Sequence, residues 1–108
     1  MTFQELLQAI KSFKNEENRA FTDDYLEVVI AKSKIQQYQT VLETFFGLPL
    51  KPEGQAPSPE ANLHAKAYGG IHDNQTMYLR KDNGTTALAF LWPWGNGSLV
   101  TLKVFSEK

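Results

Sequence analysis

The sequence predicts an α+β fold: one domain over 1–108, with two N-terminal helices, and a strand between them, packed on one face of a C-terminal antiparallel meander. Three observations predict it. Two helix-period apolar stripes fall before residue 47. Four of the five prolines crowd into LPLKPEGQAPSPE at 48–60. The remainder is a set of period-2 apolar runs separated by turn residues.

Phe3, Leu6, Leu7, Ile10 and Phe13 form one stripe of a 3.6-period helix over 3–15. Thr2 and Glu5 stand at the spacing of a capping box. KNEENR (14–19) breaks the stripe and reads as a solvated helix end or loop. YLEVVIA (25–31) is β-branched and aromatic, which predicts a strand. Ser33 and Gln36 repeat the capping-box spacing and would start a helix over 34–46. The competing reading is one uninterrupted helix, because Val28, Ala31, Ile35, Tyr38, Leu42 and Phe45 also fit heptad positions. Gly47 would end that helix in a left-handed conformation, with Leu48 as its hydrophobic contact and Pro49 as the stop.

The proline-rich stretch is extended and cannot lie in a sheet centre. Ser58 and Pro59 read as N-cap and first residue of a short helix over 59–66, ended by Tyr68-Gly69-Gly70. Three strands follow: 76–81, 85–92 and 98–105. Asp82-Asn83-Gly84 signals the first hairpin, and 93–97 makes the second turn. Val100, Leu102 and Val104 share one face of the last strand, and Met77 and Leu79 oppose Tyr78 and Arg80. The middle strand is apolar on both faces. One sheet face is therefore expected to lie on helices, and the other to be mixed, carrying Tyr78, Thr101 and Phe105.

Composition removes several chemistries. The 108 residues include no cysteine, which excludes disulfide frameworks, cysteine-based zinc sites and thiol nucleophiles. Eleven basic and twelve acidic residues leave a net charge of -1, with no basic run to neutralise phosphates, so nucleic acid is not an expected partner. No apolar stretch approaches a membrane span, and MTFQELLQAIKSFK lacks the pattern of a secretory leader. A cytoplasmic location is expected.

Candidate chemistry is sparse. His64 and His72 are eight residues apart, and no regular element would bring them together as metal ligands; no metal or cofactor is expected. Tyr68-Gly69-Gly70 follows a helix rather than opening one, so it reads as a C-cap and not a phosphate cradle. The acidic pairs Glu16/Glu17 and Asp23/Asp24 read as solvated faces. Trp92 ends a doubly apolar strand and belongs to the core or its rim. Trp94 falls in the turn beyond Pro93, either as an interface anchor or as a lid over the sheet end, with the proline-rich segment as its natural cover.

The expected function is a non-catalytic protein- or ligand-binding module, self-associating or taking a protein partner through the open sheet face. Its nominated binding residues are Trp94, Tyr78, Phe105 and Tyr68. The alternative is a small enzyme using His72 and Asp73 as an acid–base pair in a pocket under the proline-rich segment. A third reading stacks single-stranded nucleic acid on Trp94 and Tyr78; the balanced charge argues against it.

Overall fold

The computed structural model describes residues 1–107. Helix α1 (Phe3–Ser12) is opened by the expected capping box, in which the Thr2 hydroxyl accepts from the Glu5 N–H and the Glu5 carboxylate accepts from the Thr2 N–H. The chain then makes β1 (Glu17–Phe21) and β2 (Tyr25–Ala31). A 3-10 turn at Lys32–Lys34 leads into α2 (Ile35–Phe46). Ser33 therefore lies inside that turn and does not cap the helix; no side chain does. Gly47 ends α2 with φ 81°, a conformation that favours glycine, and its N–H reaches back to the Glu43 carbonyl at 2.9 Å.

The short α3 (Pro59–Ala65) carries Ser58 as N-cap and Pro59 in its first turn. It is followed by β3 (Thr76–Asp82), β4 (Thr85–Pro93) and β5 (Leu99–Glu107). Asn83 and Gly84 form the first hairpin tip, both at positive φ, 50° and 79°. All five strands join one antiparallel sheet in the order β1-β2-β5-β4-β3. The helical alternative for 23–46 is thereby excluded, and β2 occupies 25–31 as expected.

β1 begins inside KNEENR (14–19), which the sequence reads as a helix end or loop. Its sequence, ENRAF, has no apolar alternation, and its pairing comes from the backbone of β2. The Asn15 side chain steadies its start by donating to the Ile10 carbonyl and to the Asn18 side chain. The ladder slips between Asn18 and Ala20, leaving Arg19 as the extra residue of a bulge.

One face of the sheet carries α1 and α2. Leu6, Leu7 and Ile10 meet Tyr38, Leu42, Phe45 and Phe46 over Leu26, Val28, Ile30, Ala89, Leu91, Val100, Leu102 and Val104. Each large apolar side chain buried this way contributes about 1.5–3 kcal/mol. The second face carries α3, whose Ala61 and Ala65 cover Met77, Leu88, Phe90 and Phe105. The helices thus divide over both faces, and the cluster under α3 reaches from β3 across β4 to Phe105 on β5.

The proline-rich segment runs along the outer edge of β3, where Lys51 pairs with Met77. It does not serve as the cover expected for Trp94. The Lys51 side chain is almost inaccessible, and its ammonium donates to the carbonyls of Asp73 and Gln75 at 2.5 and 2.6 Å. That clamp and the Gly54 N–H, which also bonds the Asp73 carbonyl, hold the segment against the loop before β3.

Candidate functional site

The half of the second sheet face away from α3 has no helix over it. Strand register sets the side chains of the whole second face in rows. Glu17, Val29, Thr101 and Trp92 lie in one row, and Glu27, Lys103 and Phe90 in the next; Tyr25, Phe105 and Leu88 form the third. Trp94 enters from the β4–β5 turn.

Trp94 does not project from that turn. Its N–H bonds the Leu99 carbonyl at 2.9 Å, and its indole N–H donates to the Thr101 hydroxyl at 2.8 Å. The ring is thereby laid back over the sheet. Thr101 is only 7% exposed and its register neighbour Val29 only 2%, although no helix lies above them. The Arg19 guanidinium, displaced outward by the bulge, stands 5.6 Å from the Trp94 ring centroid. It also meets Glu17 at 2.5 Å and Glu27 at 3.6 Å. The hydrogen bond to Glu17 is the main reason its pKa is raised.

A second cation treats the second tryptophan alike. Lys103 Nζ lies 4.2 Å from the Trp92 ring centroid. From Trp92 an aromatic file runs down the face: Phe90 at 5.5 Å, Phe105 a further 5.9 Å on, and Tyr25 stacked on Phe105 at 6.0 Å. The Tyr25 hydroxyl donates to Glu27 at 2.6 Å. Burial, then that carboxylate, pushes its pKa up to about 12. Tyr25, Arg19 and Glu27 thus form one polar chain beside the aromatic file.

The nominated binding residues separate. Phe105 is buried in the second core between Tyr25 and Phe90. Tyr68, from the turn after α3, packs on Phe105 at 4.6 Å and donates to Glu107, which with burial raises its pKa to about 12. Trp94 alone of the four stands on the helix-free half. Tyr78 was expected on the same open face; instead it lies on the α1/α2 face, fully buried against Phe46, with its hydroxyl on Glu43 at 3.2 Å. β3 alternates apolar residues on both faces, so its pattern alone does not say which set meets α1 and α2.

His72 and Asp73 lie exposed in the loop before β3. The His72 backbone N–H bonds the Gln75 side chain, and Asp73 is engaged through its carbonyl. No side-chain hydrogen bond joins them among the described residues. The Lys51 clamp holds the proline-rich segment down where the acid–base reading needed a roofed pocket. His64 stands apart on α3, and among the described residues no three His, Asp or Glu side chains gather as a metal site.

Arg19, Glu27, Lys103 and Trp92 complete the surface and were not nominated from sequence. Lys103 carried a usable signal, since its alternation with apolar neighbours placed it on the mixed face. Arg19 carried none, because only the bulge aims it. No protein-family model, curated protein or solved structure matches the chain. Among the described residues, no helix is long and apolar enough to cross a membrane.

Proposed function

We propose that this chain is a non-catalytic binding module that receives a protein partner on the helix-free half of its sheet. One observation carries the reading: Trp94 and Arg19 meet outside the cluster that α3 covers, with Trp92 and Tyr25 at the margin of that cluster beside them. Trp, Tyr and Arg are the residue types most enriched among interface hot spots. The interleaved Glu17, Arg19, Glu27 and Lys103 would give the contact a charged border and set its register. A nucleic-acid track is disfavoured because Glu17 and Glu27 pair with Arg19, and Glu27 stands in register beside Lys103.

The test is a photo-crosslinking residue at Glu17, on this surface, and separately at Gln36, exposed on α2. The expected result is a protein captured from Glu17 and not from Gln36, with capture lost when Arg19→Glu and Lys103→Glu are combined. Equal capture from both positions, or capture unchanged by the double substitution, rejects the surface. A captured second copy would mark self-association, and sedimentation would then show a dimer.

A further inference from the structure

A cleft of about 390 Å³ opens at the far end of the α1/α2 face, where the start of α1 and the end of α2 overhang the β3–β4 hairpin. That volume lies within the range of small-molecule sites. Its floor is Ala87, set in register between Arg80 and Ser106. One wall is apolar, made by Phe3 and Phe45 in edge contact at 6.0 Å.

The polar side of the cleft is Arg80 and Asp82, two residues apart on one face of β3. Arg80 is held rather than free. Its guanidinium stacks on the Phe45 ring, 4.4 Å from the centroid, and donates to the Phe45 carbonyl at 3.1 Å. Asp82 approaches it at 3.5 Å in a solvent-exposed pair. Such a pair is weak and opens readily for a better partner. A guanidinium has five N–H donors, so Arg80 keeps donors for a ligand after bonding Phe45.

We propose that this cleft binds a free α-amino acid with an apolar side chain. The ligand carboxylate would lie on Arg80, its ammonium on Asp82, and its side chain over Ala87 against Phe45 and Phe3. The charge pattern selects a zwitterion. A simple anion at Arg80 would face Asp82, and a simple cation at Asp82 would face Arg80, whereas a ligand carrying both charges satisfies both. The cleft opens on the face opposite the proposed protein-binding surface, so the two readings stand or fall separately.

Titration of the labelled protein with L-leucine, L-methionine and L-phenylalanine, followed by amide resonances, tests the proposal. The expected result is saturable shifts centred on Thr85, Ala87 and Ser106 with at least one of them. For an amino acid that binds, the N-acetyl derivative and the amide should each bind about tenfold more weakly, the effect of losing one charge-assisted hydrogen bond. Ala87→Leu, which fills the floor and leaves both charged groups in place, should abolish the shifts. The derivatives are measured on the unaltered protein, so the test survives if that variant does not fold. No saturable shift with any of the three, or an N-acetyl derivative binding as tightly as its parent, overturns the assignment, as does undiminished binding in a folded Ala87→Leu variant.

Discussion

The Trp94 indole N–H donates to the Thr101 hydroxyl at 2.8 Å, and this bond turns a loop tryptophan into the cover of a sheet. Interface anchor and structural lid were alternatives in the sequence; the geometry makes Trp94 a lid whose outer side still meets Arg19. A side chain fixed in this way contacts a partner without first losing rotamer freedom.

Breaking the bond from either end should be measurable. Trp94→Phe keeps an aromatic ring but removes the donor, and Thr101→Val keeps the shape but removes the acceptor. Each is expected to cost about 1–2 kcal/mol in urea denaturation. The double variant should cost less than the sum of the two, with a coupling of about 1 kcal/mol.

Trp92 should behave differently. Its indole N–H is buried and has no acceptor among the described residues. An unpaired buried donor carries a penalty of about 1–3 kcal/mol, which Trp92→Phe relieves while giving up packing area. The two effects oppose, so the variant is expected within about 1 kcal/mol of the parent by the same denaturation measurement. A loss as large as that of a core deletion would show that the N–H has a partner in solution.

Alkali should unfold the protein through its tyrosines. Burial raises the pKa of Tyr25 to about 12, and the Glu107 hydrogen bond raises that of Tyr68 to about 12. Burial, with Glu43 beside it, also pushes Tyr78 well above its ordinary value. The folded state thus keeps these protons at a pH where the unfolded chain, with tyrosines titrating near about 10, releases them. Their contribution is complete below about pH 10 and is lost as the pH climbs toward about 12. Denaturation midpoints measured across that window should fall, and Tyr25→Phe or Tyr68→Phe should flatten the decline. Lys51, whose pKa burial lowers, works in the opposite direction because the fold gives up its proton first. Burial raises Tyr38 as well, and one lysine set against four tyrosines only softens the trend.

Lys51→Ala removes the clamp between the proline-rich segment and the loop before β3. It leaves the Asp73 and Gln75 carbonyls without their ammonium donor and opens a void where the buried side chain lay. The expected loss is about 2–4 kcal/mol. Limited proteolysis should then cut within 48–58 faster than in the parent. Lys51→Met fills the void and should recover part of the stability without restoring the carbonyl bonds.

Where local chemistry decided the structure, the sequence could be read almost to the residue. The Thr2–Glu5 box, the Ser58–Pro59 start and the Asn83–Gly84 turn each act within a few residues, and each forms as expected. The illegible parts depend on distant partners. β1 is a strand because β2 lies beside it, not because ENRAF favours extension. Tyr78 and Met77 are both apolar enough for a core, and only α3 on the second face decides which meets which helix. Of the candidate surface, Trp94 is visible as a turn aromatic, with anchor and lid both open. Arg19 was hidden in a polar run, because a one-residue bulge aims it and leaves no trace in composition.

The sheet order has a consequence for synthesis. β5, the final strand, lies at the centre between β2 and β4, pairing Ile30 with Val100 and Leu91 with Leu102. A chain leaving the ribosome in order holds two separate hairpins, and an isolated two-stranded hairpin is marginal in water. Neither can be joined to the other until residues 99–107 emerge. Folding is therefore deferred until β5 has emerged, with Leu26, Ile30, Ala89 and Leu91 uncovered in the meantime. A premature stop ahead of Leu99 gives no smaller working domain, only two unjoined ribbons with apolar faces open to proteases and chaperones.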